Sequence, residues 1–184
     1  MNFKPAFAII AILLSGPTLS ANPTLLDIDT AHSAITVDVA ASPFQDFTGH
    51  LQDFDTSVEL APSGKTVARA YCKFQFKDLK TGKQKRDEKM LDWLETETFP
   101  EALFVLQSVE DDNGQTVGVG TFKIHGITQR IRVPFTLETN GNTALFKGSA
   151  KINTRDYDLP IIRLFVFKVD PELTIHLELN GTFK

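Results

Sequence analysis

Apolar and polar residues alternate along most of the chain. The clearest run is residues 67–77, in which five small or apolar side chains share one face: Ala68, Ala70, Cys72, Phe74 and Phe76. A period of two is typical of a β-strand that buries one face. Seven further segments have the same period and complete a set of eight predicted strands: 35–41, 47–60, 102–109, 117–125, 127–138, 144–153 and 173–183.

Short turn signals separate these strands, among them Asn113-Gly114, His125-Gly126 and Gly141-Asn142. Connections this short join antiparallel neighbours. Two segments break the alternation. Residues 83–95 carry apolar side chains at helical spacing, and residues 155–167 contain Pro160 within an apolar cluster. We therefore expect one or two short helices among the strands.

Eight antiparallel strands with one apolar face each can form a sandwich or a closed barrel. Small residues on apolar faces, notably Ala70, Cys72, Gly118 and Gly120, favour a barrel with space inside. We predict an all-β, eight-stranded antiparallel β-barrel with an apolar interior cavity. A barrel whose side chains fill the interior completely is the alternative.

The first 21 residues have the features of a secretory signal peptide. Lys4 precedes an apolar run over residues 6–14, and the small residues Ser20-Ala21 offer a cleavage site. The apolar run is about half the roughly 20 residues that a membrane-spanning helix needs. We expect residues 1–21 to be removed, leaving residues 22–184 as one exported domain with no stable membrane insertion.

Composition narrows the possible partners. The chain has 15 Phe against 2 Tyr and 1 Trp, which indicates a bulky apolar interior with few polar groups. A formal net charge of −4 excludes nucleic acid as the main partner, because phosphate binding needs a basic surface. The single cysteine, Cys72, excludes an intramolecular disulfide.

No catalytic or metal-binding signature is present. The chain lacks G-x-S-x-G and His-Glu-x-x-His motifs, and its four histidines have no metal-ligand spacing. We therefore expect no enzyme activity, no metal and no cofactor. His125 and His176 fall on the polar sides of their strands, and the basic run over residues 83–86 is interpreted as the solvated start of a helix.

Several motifs in order along the chain resemble the YceI-like family. They are Asp29-x-x-His32-Ser33-x-Ile35, Phe47-Thr48-Gly49-x-Leu51-x-x-Phe54, Thr81-Gly82 with Arg86-Asp87 and Phe99-Pro100, Gly118-x-Gly120-x-Phe122-x-Ile124-His125-Gly126-Ile127-Thr128, and Asn153, Arg155 and Tyr157. The chain departs from the family pattern at Lys89, where a histidine is usual. It departs again at Asp158, where the pattern has glycine.

The resemblance implies a lipocalin-like, polyisoprenoid-binding or other lipid-binding barrel in the periplasm. Its ligand would be a long apolar chain of polyisoprenoid, isoprenoid quinone or fatty-acyl type. We assign the cavity lining to Phe74, Phe76, Phe122, Ile124, Ile131, Val133, Phe135, Phe146 and Ile152. The residues assigned to lids over the cavity are Met90, Leu91, Trp93, Leu94, Ile161, Ile162 and Phe165, and Arg155 and Asp156 are assigned to its rim.

Two other functions remain open at this point. A solidly packed barrel would serve protein–protein contacts or envelope stress protection, and it would expose an apolar patch instead of enclosing a cavity. A small enzyme acting on an isoprenoid-like substrate would need a buried acid or base such as Asp156 or His32. The sequence is also compatible with a homodimer.

Overall fold

The computed structural model describes residues 22–43, 45–164 and 167–184. The strands in these ranges are β1 (Thr24–Ile28), β2 (Ala34–Ser42), β3 (Phe47–Leu51), β4 (Asp55–Leu60), β5 (Val67–Gln75), β6 (Leu79–Lys80), β7 (Glu101–Asp112), β8 (Gln115–Ile124), β9 (Ile127–Asn140), β10 (Thr143–Asn153), β11 (Arg163–Leu164) and β12 (Phe167–Phe183). The helix α1 spans Gln84–Trp93, and 3-10 turns cover Thr30–His32, Phe76–Asp78 and Thr154–Tyr157. No helix in the described ranges has the length and apolar character needed to cross a bilayer.

The strands occupy eight positions around a closed antiparallel barrel. Three positions are filled by interrupted strands: β1 with β2, β3 with β4, and β5 with β6. The strands β7, β8, β9, β10 and β12 fill one position each. The long strand β12 pairs with β10 on one side and with both β1 and β2 on the other, which closes the ring. The predicted eight-stranded barrel is confirmed.

A 3-10 turn divides the first barrel strand. The Asp29 carboxylate accepts hydrogen bonds from the backbone N–H groups of Ala31 at 3.1 Å and His32 at 3.3 Å. The Ser33 hydroxyl donates to the carbonyl oxygen of Asp29 at 2.7 Å. These bonds satisfy backbone groups that leave the sheet at this point. The first motif of the sequence therefore shapes the strand, and β1 lies before the first predicted strand.

A bulge in β5 changes which residues face the interior. The register with β4 shifts between Glu59 and Leu60, so Leu60 lies opposite Val67. Ala68 is the extra residue and is exposed, whereas Val67 is only 4% exposed. The predicted inward position of Ala68 is wrong, because one added residue reverses the parity of a strand. Ala70 and Cys72, beyond the bulge, face the interior.

The two glycines of β8 have different roles. Gly118 faces the barrel interior. A Cβ atom on Gly120 would lie 2.4 Å from the carbonyl oxygen of Val105, so Gly120 permits close approach of β7 beside a second bulge. The predicted interior space is present at Gly118, whereas at Gly120 the ring of Phe104 occupies it, since a Cβ atom there would lie 2.7 Å from that ring.

The apolar side chains form two clusters along the barrel axis. The far-end cluster lies towards the β4–β5 and β9–β10 turns and is centred on buried residues such as Leu26, Val58 and Leu60. The helix-end cluster lies beside α1 and includes Leu94 and Phe122. Because α1 and the segment after β10 cover only one end of the barrel, the two ends are packed by different kinds of element.

Candidate functional site

A cavity of about 700 Å³, here called the main cavity, lies at the helix end of the barrel. Its wall is formed by strands, by α1 and by the segment 159–163. Apolar side chains dominate this wall: Val37, Val39, Phe47, Phe74, Phe76, Leu79, Met90, Trp93, Leu94, Phe122, Ile124, Ile152, Leu159, Ile161, Ile162, Leu173 and Ile175. Small-molecule sites in proteins typically measure ~300–1,000 Å³ and have mostly apolar walls.

The volume sets an approximate ligand size. A methylene group is close in size to a water molecule, whose share of liquid volume is about 30 Å³. A main cavity of about 700 Å³ therefore holds on the order of twenty such groups. This corresponds to one medium-length hydrocarbon chain.

A second space of about 90 Å³, here called the inner pocket, lies deeper in the barrel. Five residues line both spaces and form the boundary between them: Val37, Phe74, Leu79, Phe122 and Ile175. Beyond this boundary, the Phe135 and Phe146 rings stack with centroids 4.7 Å apart. Ile131 and Val133 complete that part of the wall. The inner pocket extends the main cavity into the far-end cluster, because cluster residues such as Val58 and Cys72 line it.

Two chain segments cover the main cavity and are joined by a hydrogen bond. The indole Nε1 of Trp93 in α1 donates to the carbonyl oxygen of Pro160 at 2.8 Å. Met90 and Leu94 line the cavity from the helix side, and Ile161 and Ile162 line it from the opposite segment. Both segments were predicted to be lids.

Five basic side chains also line the main cavity, and we call them the basic rim: Lys83, Lys85, Arg86, Lys89 and Arg163. All of them except Arg86 are exposed, so they mark the side on which the cavity meets solvent. Asp170 is the one acidic residue that lines the cavity within the described part of the chain. The rim is therefore strongly cationic, although the whole chain carries a formal net charge of −4.

Arg86 is fixed in place by its neighbours. Its Nε donates to the hydroxyl oxygen of Thr81 at 2.8 Å, and its guanidinium carbon lies 3.8 Å from the centre of the Phe47 ring. The Asp87 carboxylate accepts a hydrogen bond from the backbone N–H of Thr81 at 2.9 Å. These contacts attach the start of α1 to β3 and to the residue after β6. The other four rim cations form no ion pair with a carboxylate among residues 22–43, 45–164 and 167–184.

Tyr157 brings a buried hydroxyl group to the cavity wall. The residue is 1% exposed, and its hydroxyl has no hydrogen-bond partner among the described residues. Burial, and secondarily the nearby charge of Asp156, raises the pKa of Tyr157 to about 12. The phenol is therefore protonated at neutral pH and can donate one hydrogen bond.

His125 packs behind Tyr157 rather than in solvent. Its Nδ1 lies 3.1 Å from the carbonyl oxygen of Tyr157, and its ring contacts Phe99 with centroids 4.4 Å apart. The side chain is only 13% exposed, so the predicted solvated position of His125 is wrong. The His125-Gly126 turn, with positive φ at both residues, points this side chain back onto the barrel end. His176 is exposed as expected, and its Nε2 lies 3.1 Å from an Asp38 carboxylate oxygen.

The assigned site residues fall into four groups. The main cavity is lined by Phe74, Phe76, Met90, Trp93, Leu94, Phe122, Ile124, Ile152, Ile161 and Ile162. The inner pocket is lined by Ile131, Val133, Phe135 and Phe146, together with the shared Phe74 and Phe122. Leu91, Arg155 and Asp156 line neither space, and Phe165 lies outside the described residues.

Arg155 and Asp156 lie on an exposed 3-10 turn. Asp158 ends that turn with φ at 55°, a left-handed conformation that explains the glycine of the family pattern. Leu91 packs against the helix-end cluster from outside the cavity. The basic run over residues 83–86 was interpreted only as the solvated start of a helix, so the basic rim was not predicted, although the spacing of Lys85, Lys89 and Trp93 places them on one face of a helix.

A concave surface of about 550 Å³ lies beside β2, β3 and β12, and it shares Val39, Phe47 and Asp170 with the lining of the main cavity. It is lined by acidic residues, among them Asp38, Asp46 and Glu172. In the parts of the chain that the structure describes, no group of three or more His, Cys, Asp or Glu side chains is arranged to hold a metal ion. This surface has no geometry that identifies a ligand.

The ring of eight antiparallel strands and the apolar cavity at one end define a small closed β-barrel with an internal cavity. A family model described as YceI-like domain matches residues 26–181. The chain therefore belongs to the YceI-like family, as its motifs indicated.

Relatives and solved structures agree with this assignment. A UPF0312 protein of Shewanella sp. (strain ANA-3) is 27% identical over 165 residues, which cover 82% of this chain and 86% of the relative. The crystal structure of BcnA of Burkholderia cenocepacia is similar with a TM-score of 0.75 at 22% identity, covering 85% of this chain and 100% of that one. The structure of a polyisoprenoid binding domain from Saccharophagus degradans has a TM-score of 0.64 at 14% identity, covering 89% and 100%.

Proposed function

We propose that the protein is a non-catalytic periplasmic carrier that binds one long apolar chain of polyisoprenoid, quinone or acyl type in the main cavity. The observation that carries this proposal is the apolar cavity of about 700 Å³ inside a closed barrel. Transfer of a hydrocarbon chain from water into such a space is favourable by about 0.8 kcal/mol per methylene. A chain can therefore be held with few hydrogen bonds.

Similarity to the Saccharophagus degradans domain, which is described as polyisoprenoid binding, supports the same ligand class. The predicted signal over residues 1–21, which lie outside the described residues, supports export. A ligand that is insoluble in water needs a protein of this kind to cross an aqueous compartment. The periplasmic location and the carrier role belong to the proposal.

Neither alternative function has a supporting observation. A filled barrel conflicts with the size of the main cavity. The two residues considered as the acid or base of an enzyme, His32 and Asp156, are exposed and line neither space.

The test is native mass spectrometry of the full-length protein expressed with its signal and purified without detergent, followed by organic extraction. We expect a bound apolar species at one per chain, or uptake of one added C20 prenol by the empty protein. Protein that is empty and takes up neither a prenol, a quinone nor a fatty acid would overturn the carrier proposal. Fractionation of the same cells tests the location, since recovery in the cytoplasm with residues 1–21 retained would contradict export.

A further inference from the structure

The rim and the cavity wall differ sharply in chemistry. Below the rim, the wall is apolar except for a few groups such as Thr154 and the Tyr157 hydroxyl. At the rim, four exposed cations face the opening without a carboxylate partner among the described residues. A neutral apolar ligand would use the wall and leave these cations without a function.

The cations come from two separate elements. Lys83, Lys85 and Lys89 belong to α1 and the residue before it, whereas Arg163 belongs to β11, and all four line the cavity. These two elements are the ones joined by the hydrogen bond from Trp93 to Pro160. Two separate elements therefore contribute positive charge to the rim of the cavity.

The rest of the surface makes this concentration of charge more significant. The full chain has 23 acidic and 19 basic residues, yet among the described residues five basic side chains and one acidic side chain line this cavity. Other cations, such as Lys73, Lys147 and Lys151, form ion pairs with glutamates on neighbouring strands. A cationic opening in an acidic molecule attracts anions and repels cations.

We propose that the main cavity selects amphiphiles with an anionic headgroup, which the basic rim holds while a chain of about twenty carbons enters the barrel. This inference rests on the proposed function and names the ligand class of the same site. The apolar wall provides most of the affinity, and the rim provides the selectivity for charge and the orientation of the chain. Arg86 is already hydrogen-bonded to Thr81, so its role is to hold the start of α1, the helix that carries Lys85 and Lys89.

The experiment compares two probes with the same chain, geranylgeranyl phosphate and geranylgeraniol, and inorganic phosphate as a third. Trp93 is the only tryptophan in the chain and lines the main cavity, so its fluorescence reports binding directly. We expect the prenyl phosphate to bind about tenfold more tightly than the alcohol at low salt, with the difference decreasing as salt screens the rim. Inorganic phosphate alone should bind at least a hundredfold more weakly than the prenyl phosphate.

The variant K85Q/K89Q removes two rim charges. Its control is Lys65→Glu, which lowers the net charge by the same amount at an exposed turn between β4 and β5. We expect K85Q/K89Q to lower affinity for the prenyl phosphate about threefold, since it removes two of the four exposed rim cations, and to leave affinity for the alcohol unchanged. Lys65→Glu should change neither. Thermal unfolding of each variant checks that the fold is retained.

The possible failures are distinguishable. Equal binding of geranylgeranyl phosphate and geranylgeraniol, unaffected by K85Q/K89Q, would overturn the charge selectivity and leave the carrier proposal intact. Equal binding of inorganic and prenyl phosphate would overturn it as well, because the rim would then act as an anion site without the cavity. Binding of no probe at all would overturn the headgroup proposal, and it would overturn the carrier proposal as well if a quinone and a fatty acid also failed to bind.

Discussion

The two ends of the barrel are filled in different ways. At the far end, inward side chains from every side meet in a cluster that contains fully buried residues such as Leu60, which is 0% exposed. At the helix end, the covering helix α1 has no fully buried residue, and a cavity of about 700 Å³ lies beneath it. The far end stabilises the fold, and the helix end is free to hold a ligand.

The difference follows from the covering elements. At an end closed by short hairpins, the strands continue up to the turn. Every second residue of each strand then points inward, and these side chains fill that end of the barrel. A two-turn to three-turn helix laid across a barrel opening can bury only one stripe of side chains. The four predictions below test this contrast, beginning with the largest expected effect.

A matched pair of leucine truncations compares the packing of the two ends. We expect Leu60→Ala to lower the free energy of unfolding by about 4 kcal/mol, since Leu60 is fully buried and lines neither space, so its truncation creates a new cavity. Leu94→Ala should cost only about 2 kcal/mol, because Leu94 already borders the main cavity and loses fewer contacts. Denaturant unfolding measures both, and equal losses would contradict the contrast between the ends.

A matched pair of valine enlargements tests the connection between the two spaces. Val37 lies on the boundary of the main cavity and the inner pocket, whereas Val105 is exposed on the outside of the barrel. Val37→Phe displaces about two methylene-sized groups of ligand, so we expect a loss of about 1.6 kcal/mol, or about fifteenfold in Kd. Val105→Phe should bind the C20 chain with the same affinity as the unsubstituted protein. Titration of Trp93 fluorescence with the C20 chain measures both, and unchanged binding by Val37→Phe would show that the ligand does not reach the boundary.

Alkaline pH should weaken the fold through the far end first. Burial raises the pKa of the Cys72 thiol from 9.0 to about 12. The unfolded chain therefore loses this proton above pH 9 while the folded chain keeps it, and stability falls by up to about 1.4 kcal/mol per pH unit as pH rises from about 9 towards 12. We expect Cys72→Ala to flatten the slope between pH 9 and pH 10 in denaturant unfolding. An unchanged slope would exclude Cys72 as its source.

The smallest effect concerns the Tyr157 hydroxyl at the helix end. Because this group has no partner among the described residues, Tyr157→Phe should stabilise the ligand-free protein by about 1 kcal/mol. Tyr71→Phe is the control, since the Tyr71 hydroxyl donates to the Asp55 carboxylate at 3.1 Å on the surface, and its removal should be neutral or slightly destabilising. A destabilising Tyr157→Phe measured by thermal unfolding would show that the phenol is bonded in solution.

Strand period and turn chemistry were sufficient to predict the eight barrel strands, because each buries one face and meets its neighbour through a short turn. They were not sufficient at Ala68, where a bulge reverses the parity of β5 with no signal in the local pattern. The predicted position of His125 was wrong for a related reason. Its place in a two-residue turn, rather than its parity in β8, decides where the imidazole points.

The apolar wall was more predictable than the polar residues around it. Inward residues such as Phe74 and Phe122 follow from alternation alone. Arg155 and Asp156 were assigned to the rim from their motif, but the 3-10 turn points them into solvent. The rim cations instead come from α1 and β11, which are distant in sequence and meet only when the barrel forms. Local sequence therefore does not indicate that Arg163 lies at the same rim as Lys85 and Lys89.

The closure of the ring has a consequence for how the protein folds. Leu26 in the first strand lies opposite Phe183 in the last, so the final seam joins opposite ends of the described chain. Contacts with so large a sequence separation form late and slow folding. The barrel therefore cannot enclose a cavity until β12 has been synthesised and has paired with β1 and β2. A chain that lacks β12 has no closed cavity in which to retain a lipid.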